Sequence, residues 1–284
     1  MERIGSVKEL WRYPVKSMGG EQIAATVVGP QGLPGDRGWA VRDEVKGEIR
    51  GAKKLPGLLR CTARYPIEPD ATHVPPAEIT FPDGARLRSN DPEAAVRLTS
   101  LVGRRVTLWP RQPADHTDFY RRAEPDNPDI MAELRQVFGR TEDEPIPDIT
   151  AFPAELMEFT SPLGTFFDAF PIHLLSTAAL AALGPAEVFD RRRFRPNFFV
   201  QSTPDLQGLV EHGLAGRRLR IGGLVLHGEM PTARCVMTTL EQPGLAKNPG
   251  VLRTIVRDAA QCLGLYATVV TPGRVAVGDA VEVE

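Results

Sequence analysis

Residues 231–240 read PTARCVMTTL, and they place a lone thiol, Cys235, directly after Arg234. Thiolate is both the nucleophilic and the metal-binding form of cysteine, and a neighbouring guanidinium favours it. The same residue type is also among the most often buried and inert, so a packing role stands beside the chemical ones. A Cys–His hydrolase would need one of five scattered histidines as partner, and spacing does not choose one.

Zinc finds a poor set of ligands. His227-Gly228-Glu229 followed by Pro231 and Cys235 begins like a zinc deaminase, but the second cysteine that chemistry needs is absent. No C-x-x-C or H-x-x-x-H pair occurs for a structural zinc site.

A second group of residues suits an anion. In RRRFRPNFF, Arg191 to Arg193 read as a solvated basic face, whereas Arg195-Pro196-Asn197 sets a guanidinium and an amide on a proline-stiffened entry to an apolar run. Such a pair can grip an anion through charge-assisted hydrogen bonds. Lys16 and Ser17 in YPVKS, and Asp36, Arg37 and Trp39 in GLPGDRGWAV, are compatible with the same task and equally with turn and core chemistry. Together these residues suit a ligand that is anionic at one end and bound to a soft metal at the other.

These residues must be held by short elements. VKELWRYPV, GWAVRDE, LLRCTARYP, NFFVQS, RRLRIGGLVLHGE and LYATVVTPG are strand-like runs between Gly/Pro punctuation. Asp83-Gly84 signals a hairpin. Asp91-Pro92 opens a helix that Gly103 can close, Ser176 and Gly184 bracket another, and PDIMAELRQVFG is a third candidate. In NPGVLRTIVRDAAQCLG, Val251, Ile255 and Ala259 fall at i, i+4, i+8, which predicts a last helix running to Cys262. Residues 111–150 are rich in Pro, Asp and Glu and suit a linker or a surface excursion. Short strands with many turns predict a β-rich α+β chain of two barrel-like lobes, not a doubly wound sheet. The expected division is residues 1–112, an excursion over 113–150, and residues 151–284.

A formal net charge of -2 gives no reason to expect nucleic acid or an anionic membrane as partner. Three cysteines, none in a C-x-x-C pair, fit a reducing compartment, and the charged N-terminus lacks a signal-peptide core. The expectation is a cytoplasmic protein, with Cys61 and Cys262 in packing roles.

Six stretches in order, LWRYPVKSMGGE, GLPGDRGWAV, FPIHLLSTAAL, RFRPNFFV, RCVMTTL and GRVAVGDAVEV, make the chain resemble the MOSC family, named for the C-terminal domain of molybdenum-cofactor sulfurases. It is most similar to the members that join an N-terminal β-barrel domain to a MOSC domain, such as the amidoxime-reducing components and bacterial reductases of N-hydroxylated compounds. The resemblance implies an N-terminal β-barrel-like lobe packed against a MOSC barrel with flanking helices, and a molybdenum cofactor whose metal is ligated by Cys235. It implies that Lys16, Ser17 and Arg37 reach the phosphate and pterin, and that Arg195, Asn197 and Arg234 line the cofactor pocket and bind the cofactor. It also implies that Asp168 lies close to the metal as a catalytic residue, binding the metal's solvent or assisting proton delivery.

The implied activity is two-electron reduction of a small N-hydroxylated substrate with oxygen transfer, fed by a separate reductase or ferredoxin-type electron donor. Neither pyridoxal phosphate nor an iron–sulfur cluster is expected. The family's alternatives are a cofactor carrier or sulfur-transfer protein without its own turnover; a thiol enzyme free of molybdenum is a further one. Ala169 and Phe170 stand where the reducing enzymes often carry small hydroxyl residues, which bears on substrate range. Thr232 and Ala233 stand where many relatives have a second cysteine, leaving Cys235 as the candidate ligand.

Overall fold

The computed structural model describes residues 1–284. In chain order the first half holds strands β1 (Glu2–Arg12), β2 (Glu21–Ile23), β3 (Ala25–Val28), β4 (Trp39–Asp43) and β5 (Glu48–Ile49). Next come β6 (Thr62–Arg64), β7 (Glu78–Thr80), β8 (Arg86–Arg88), helix α1 (Pro92–Val102) and β9 (Val106–Pro110). A middle stretch carries α2 (Thr117–Tyr120) and α3 (Ile130–Phe138). The second half begins with β10 (Ile172–Ser176), α4 (Thr177–Leu183), β11 (Phe198–Ser202), β12 (Arg218–Ile221) and β13 (Leu224–Ala233). It ends with α5 (Pro249–Asp258), β14 (Cys262–Thr271), β15 (Gly273–Ala276) and β16 (Ala280–Val283). The chain is thus β-rich α+β.

Seven strands close into a barrel in the order β11-β10-β14-β13-β12-β16-β1, because β1 pairs with both β16 and β11. The barrel therefore takes one stave from the very start of the chain, ahead of the lobe that follows it. β1 meets its two neighbours with a register shift on each side, at Arg3/Gly5 and Val7/Glu9. Such bulges bend a strand and add twist, which closure requires. At Gly5 a Cβ would stand 2.3 Å from the carbonyl oxygen of Gln201, so only glycine lets β11 approach this closely. Inside, Ile4, Val7 and Leu10 of β1 meet Leu174, Phe198, Leu226 and Leu265. Each fully buried aliphatic side chain of this kind contributes roughly 1.5–3 kcal/mol.

The other lobe wraps two three-stranded sheets, β5-β4-β9 and β6-β7-β8, around Val15, Trp39, Leu58, Ile79, Leu98 and Val106. Its helix α1 starts and stops where the caps stand. Asp91 accepts from the Glu93 amide, Pro92 occupies the first turn, and Gly103 takes the left-handed conformation at φ 66°. Strands β7 and β8 form the hairpin expected around Asp83-Gly84.

Three expectations need correction. The last helix ends at Asp258, because Ala260 and Gln261 turn the chain at φ 46° and 69°, and Cys262 is the first residue of β14. Cys61 follows a 3-10 turn over Pro56–Arg60, which Pro56 initiates, so LLRCTARYP is strand only at Thr62–Arg64. Cys61 itself is fully buried, and burial pushes its thiol up to about 12, as befits an inert packing residue. The basic run is not a solvated face either: Arg193 is buried and donates to the carbonyl oxygens of Ala246 (2.7 Å), Thr238 (3.3 Å) and Leu240 (3.4 Å), and Arg191 pairs with Glu9. Only Arg192 of the three is largely in solvent, where it pairs with Asp190.

The middle stretch is docked, not loose. Tyr120 is fully buried with Ala40, Ile49, Phe159 and Phe166. Helix α3 is capped by Asp129 and closed by left-handed Gly139. No helix is long and apolar enough to cross a membrane.

Candidate functional site

A cavity of about 490 Å³ opens between the two lobes, a size usual for small-molecule sites. The eight residues that the resemblance assigns to the site, Lys16, Ser17, Arg37, Asp168, Arg195, Asn197, Arg234 and Cys235, all line it, whereas Asp36 and Trp39 do not. The eight arrive from both lobes and are far apart in sequence.

Cys235 follows the end of β13 and opens a short 3-10 turn over Val236–Thr239. It is a free thiol and half-buried. The guanidinium of Arg234 lies buried beside it and donates from Nη2 to the His173 Nε2 at 3.0 Å and to the Phe194 carbonyl oxygen at 3.2 Å. Burial first, and then the positive charge of Arg234, hold the His173 pKa well below its ordinary value. The imidazole is therefore neutral, with Nε2 as acceptor.

Asp168 precedes β10 and joins the lobes: Lys16 Nζ donates to its Oδ1 at 2.8 Å and to the Phe166 carbonyl oxygen at 2.7 Å. Burial works against the charged carboxylate, but Lys16, Lys53 and Arg37 outweigh it and hold Asp168 well below the usual carboxylate range. Its side chain keeps 46% exposure.

The anion-binding candidates divide by what their donors already do. Asn197 is fully engaged: its Oδ1 accepts from the His173 amide at 3.1 Å, and its Nδ2 donates to Asp36 at 3.0 Å and to the Trp11 carbonyl oxygen at 3.3 Å. It braces the wall. Arg37 pairs with fully buried Asp36 and lies over the Tyr13 ring at 4.7 Å. Arg195 covers the same ring at 4.2 Å and donates from Nη1 to the Met18 carbonyl oxygen, but its buried Nη2 has no partner. Burial, with Arg37 nearby, lowers its pKa to about 10. The Nε of Arg234 is likewise buried without a partner.

Lys53 and Tyr266 are among the cavity residues that the sequence did not mark. Lys53 carries an ammonium on the cavity wall with no carboxylate in ion-pair range; burial opposes its charge, but Asp168 first, then Cys235 and Tyr266, more than offset this and raise its pKa. Tyr266 of β14 lines the wall beside Phe170, ring centroids 5.4 Å apart, and burial lifts its hydroxyl pKa to about 12. GAKKLPG and LYATVV carry no motif that would have marked them.

The backbone is strained here. Five non-glycine residues have positive φ: Ser17 (68°), Arg37 (47°), Arg195 (57°), Ala260 (46°) and Gln261 (69°). The first three line the cavity, and the carbonyl oxygen of Gln261 accepts from the Arg234 amide at 2.9 Å. Left-handed conformations outside glycine cost on the order of 1–3 kcal/mol each and gather at functional sites. The Ser17 turn is fixed further by its Oγ, which accepts from the Ala52 amide at 2.9 Å.

No group of three or more His, Cys, Asp or Glu side chains is arranged to hold a metal ion. A metal here would have to arrive in a ligand that the cations grip and the single thiol completes. Unpaired buried donors on Arg195 and Arg234, the free ammonium of Lys53 and the half-buried thiol of Cys235 fit such an anionic, soft-metal group.

Comparison with known proteins agrees with this chemistry. Residues 4–103 match the MOSC N-terminal beta barrel domain and residues 164–282 match the MOSC domain. The chain belongs to the MOSC-domain family, whose domains are associated with molybdenum-cofactor binding. Among solved structures it is similar to the YUAD protein of Bacillus subtilis, at 14% identity over 98% of this chain and 94% of that one, with a TM-score of 0.43. YiiM of Geobacillus stearothermophilus is similar over 40% of this chain and 54% of its own, at 14% identity and a TM-score of 0.29. No curated protein matches the sequence.

Proposed function

We propose that the cavity holds a molybdenum cofactor through the Cys235 thiolate, and that the chain reduces small N-hydroxylated compounds with electrons from a separate donor protein. One observation carries the reading: every non-glycine residue with a left-handed backbone either lines this cavity or belongs to the turn that supports Arg234, beside the thiol. Backbone strain gathered on a cation-lined wall that keeps unused donors on Arg195, Arg234 and Lys53 argues for an anionic ligand held in one fixed pose.

When bound, the cofactor would supply the two-electron redox change and accept the oxygen, chemistry that no side chain here can provide. The residues have separate tasks. Arg195 Nη2 and Lys53 offer free donors to the anionic end, and Asn197, Asp36 and Tyr13 keep the arginines in place. Reduction of an N–OH group to N–H consumes two electrons and two protons and releases water. Asp168, held ionised, is poorly suited to give a proton; it keeps Lys16 charged instead. Lys16, Lys53 and the protonated Tyr266 hydroxyl, among the groups lining the cavity, can supply those protons.

The test is metal and pterin content per chain, for wild type and Cys235→Ser made in a cofactor-replete host, with hydroxylamine reduction assayed using an artificial electron donor. Molybdenum and pterin in the wild type, with activity lost in the variant, support the reductase. Cofactor bound without turnover points to a carrier or sulfur-transfer protein. Molybdenum-free protein that still turns over substrate through its thiol refutes the proposal.

A further inference from the structure

Helix α3 carries Ile130, Leu134, Val137 and Phe138 at i, i+4, i+7 and i+8, the spacing of a helix that faces a core, yet none of its residues is buried. The apolar stripe instead borders the cavity, and Phe152 and Leu156 border it as well. This wall is continuous with the floor that holds Cys235, Lys53 and Arg195, because all of them line one cavity.

The wall cannot close on itself by collapse, because α3 is pinned at both ends. Near its start, Glu133 pairs with Lys54. Just past its end, Arg140 donates to the Arg234 carbonyl oxygen at 3.0 Å and to Gln261 Oε1 at 3.0 Å. Between them Gly139 lies so close to Leu252 and Val236 that a Cβ would stand 2.9 Å and 3.2 Å from their atoms. An apolar face kept open against the hydrophobic drive to bury it needs an occupant.

We infer that this wall receives the apolar body of the substrate, an alkyl or aryl chain whose polar N–O end reaches the cation- and thiol-lined floor. The inference deepens the proposed reductase function and rests on it for the identity of the polar end. The geometry favours a small molecule over a protein partner, since the stripe faces into a cavity of about 490 Å³ together with the candidate site. Substrates should therefore be graded by apolar length.

The experiment is calorimetric binding of n-alkylhydroxylamines, methyl to hexyl, to the cofactor-replete chain with no electron donor present. Affinity should rise about two- to fourfold per methylene while the chain extends along the wall. In Leu134→Gln and in Phe152→Ser the gradient should fall below about 1.5-fold per methylene, with molybdenum content and melting temperature near wild type. A flat series in the wild type overturns the inference, and so does an undiminished gradient in both variants. Binding that climbs with chain length in protein lacking both molybdenum and turnover keeps the apolar wall and discards the reductase reading.

Discussion

Arg140 donates from Nη2 to the backbone carbonyl oxygen of Arg234 at 3.0 Å, one peptide before the candidate metal-binding thiol. Its remaining donors go to Phe138 (2.6 Å) and to Gln261 (3.0 Å), so one buried guanidinium ties α3, the turn before β14 and the Cys235 loop into one unit. Arg140→Met keeps the stem but leaves these acceptors unpaired. A loss of about 2 kcal/mol is expected, since hydrogen bonds from a charged group are worth roughly 1.5–3 kcal/mol. Urea denaturation measures that loss. Iodoacetamide labelling of Cys235 under native conditions should speed up as the loop loosens, and an unchanged labelling rate would show that Arg140 does not hold the thiol.

Lys53 has the opposite profile. It makes no ion pair, so Lys53→Gln should shift the melting temperature by no more than a surface substitution does, within about 0.5 kcal/mol. The pterin and molybdenum retained per chain after gel filtration should nonetheless fall severalfold, because a free cation facing Asp168 and the thiol is lost from the floor. A variant that keeps its full cofactor load would assign the anion to Arg195 and Arg234 alone.

What the sequence revealed about this site depended on how each residue acts. Cys235, Arg195 and Lys16 were legible because they sit in motifs whose order is distinctive. Capped helices were legible because Asp91 and Ser176 act on amides two or three residues away, so their signals are local. The stave supplied by β1 was hidden, since pairing with β11 and β16 joins residues almost two hundred or more apart and leaves no local trace. The end of α5 was missed for a related reason. Ala260 and Gln261 adopt left-handed conformations that their side chains do not favour, and the Arg140–Gln261 and Arg234–Gln261 hydrogen bonds are tertiary contacts to that turn. Residues 113–150 read as a linker or a surface excursion from composition, which carries no trace that α3 within them lines the cavity.

The Lys16–Asp168 pair predicts an acid-side dependence. A carboxylate whose folded pKa is depressed contributes stability that is present above its unfolded value, near 3.9, and is lost as pH falls towards the folded one. Because the Asp168 side chain is nearly half exposed, screening limits the contribution to about 1 kcal/mol. Asp168→Asn should therefore lower stability at pH 7 by about that amount, and the gap to wild type should narrow below about pH 4. Chemical denaturation at pH 7, 5 and 3.5 reads both stabilities. A gap that stays constant would mean the carboxylate charge is not what Lys16 relies on.

His173 titrates in a different window. Its folded pKa lies well below that of an unfolded histidine, near 6.5, so the unfolded chain binds more protons as pH drops below that value. Stability should consequently decline from about pH 6.5 downwards, by at most about 1.4 kcal/mol per pH unit from this one group. The geometry gives the reason: protonating Nε2 would turn the acceptor of the Arg234 hydrogen bond into a donor facing a guanidinium. His173→Gln retains an acceptor without the titration, so its stability should stay flatter between pH 6.5 and 5. The two proteins compared by urea titration across that interval decide the matter. Equal slopes would place the proton uptake on another group, whereas a flattened slope would tie the Arg234 guanidinium, and through it the entry to the Cys235 loop, to a neutral imidazole.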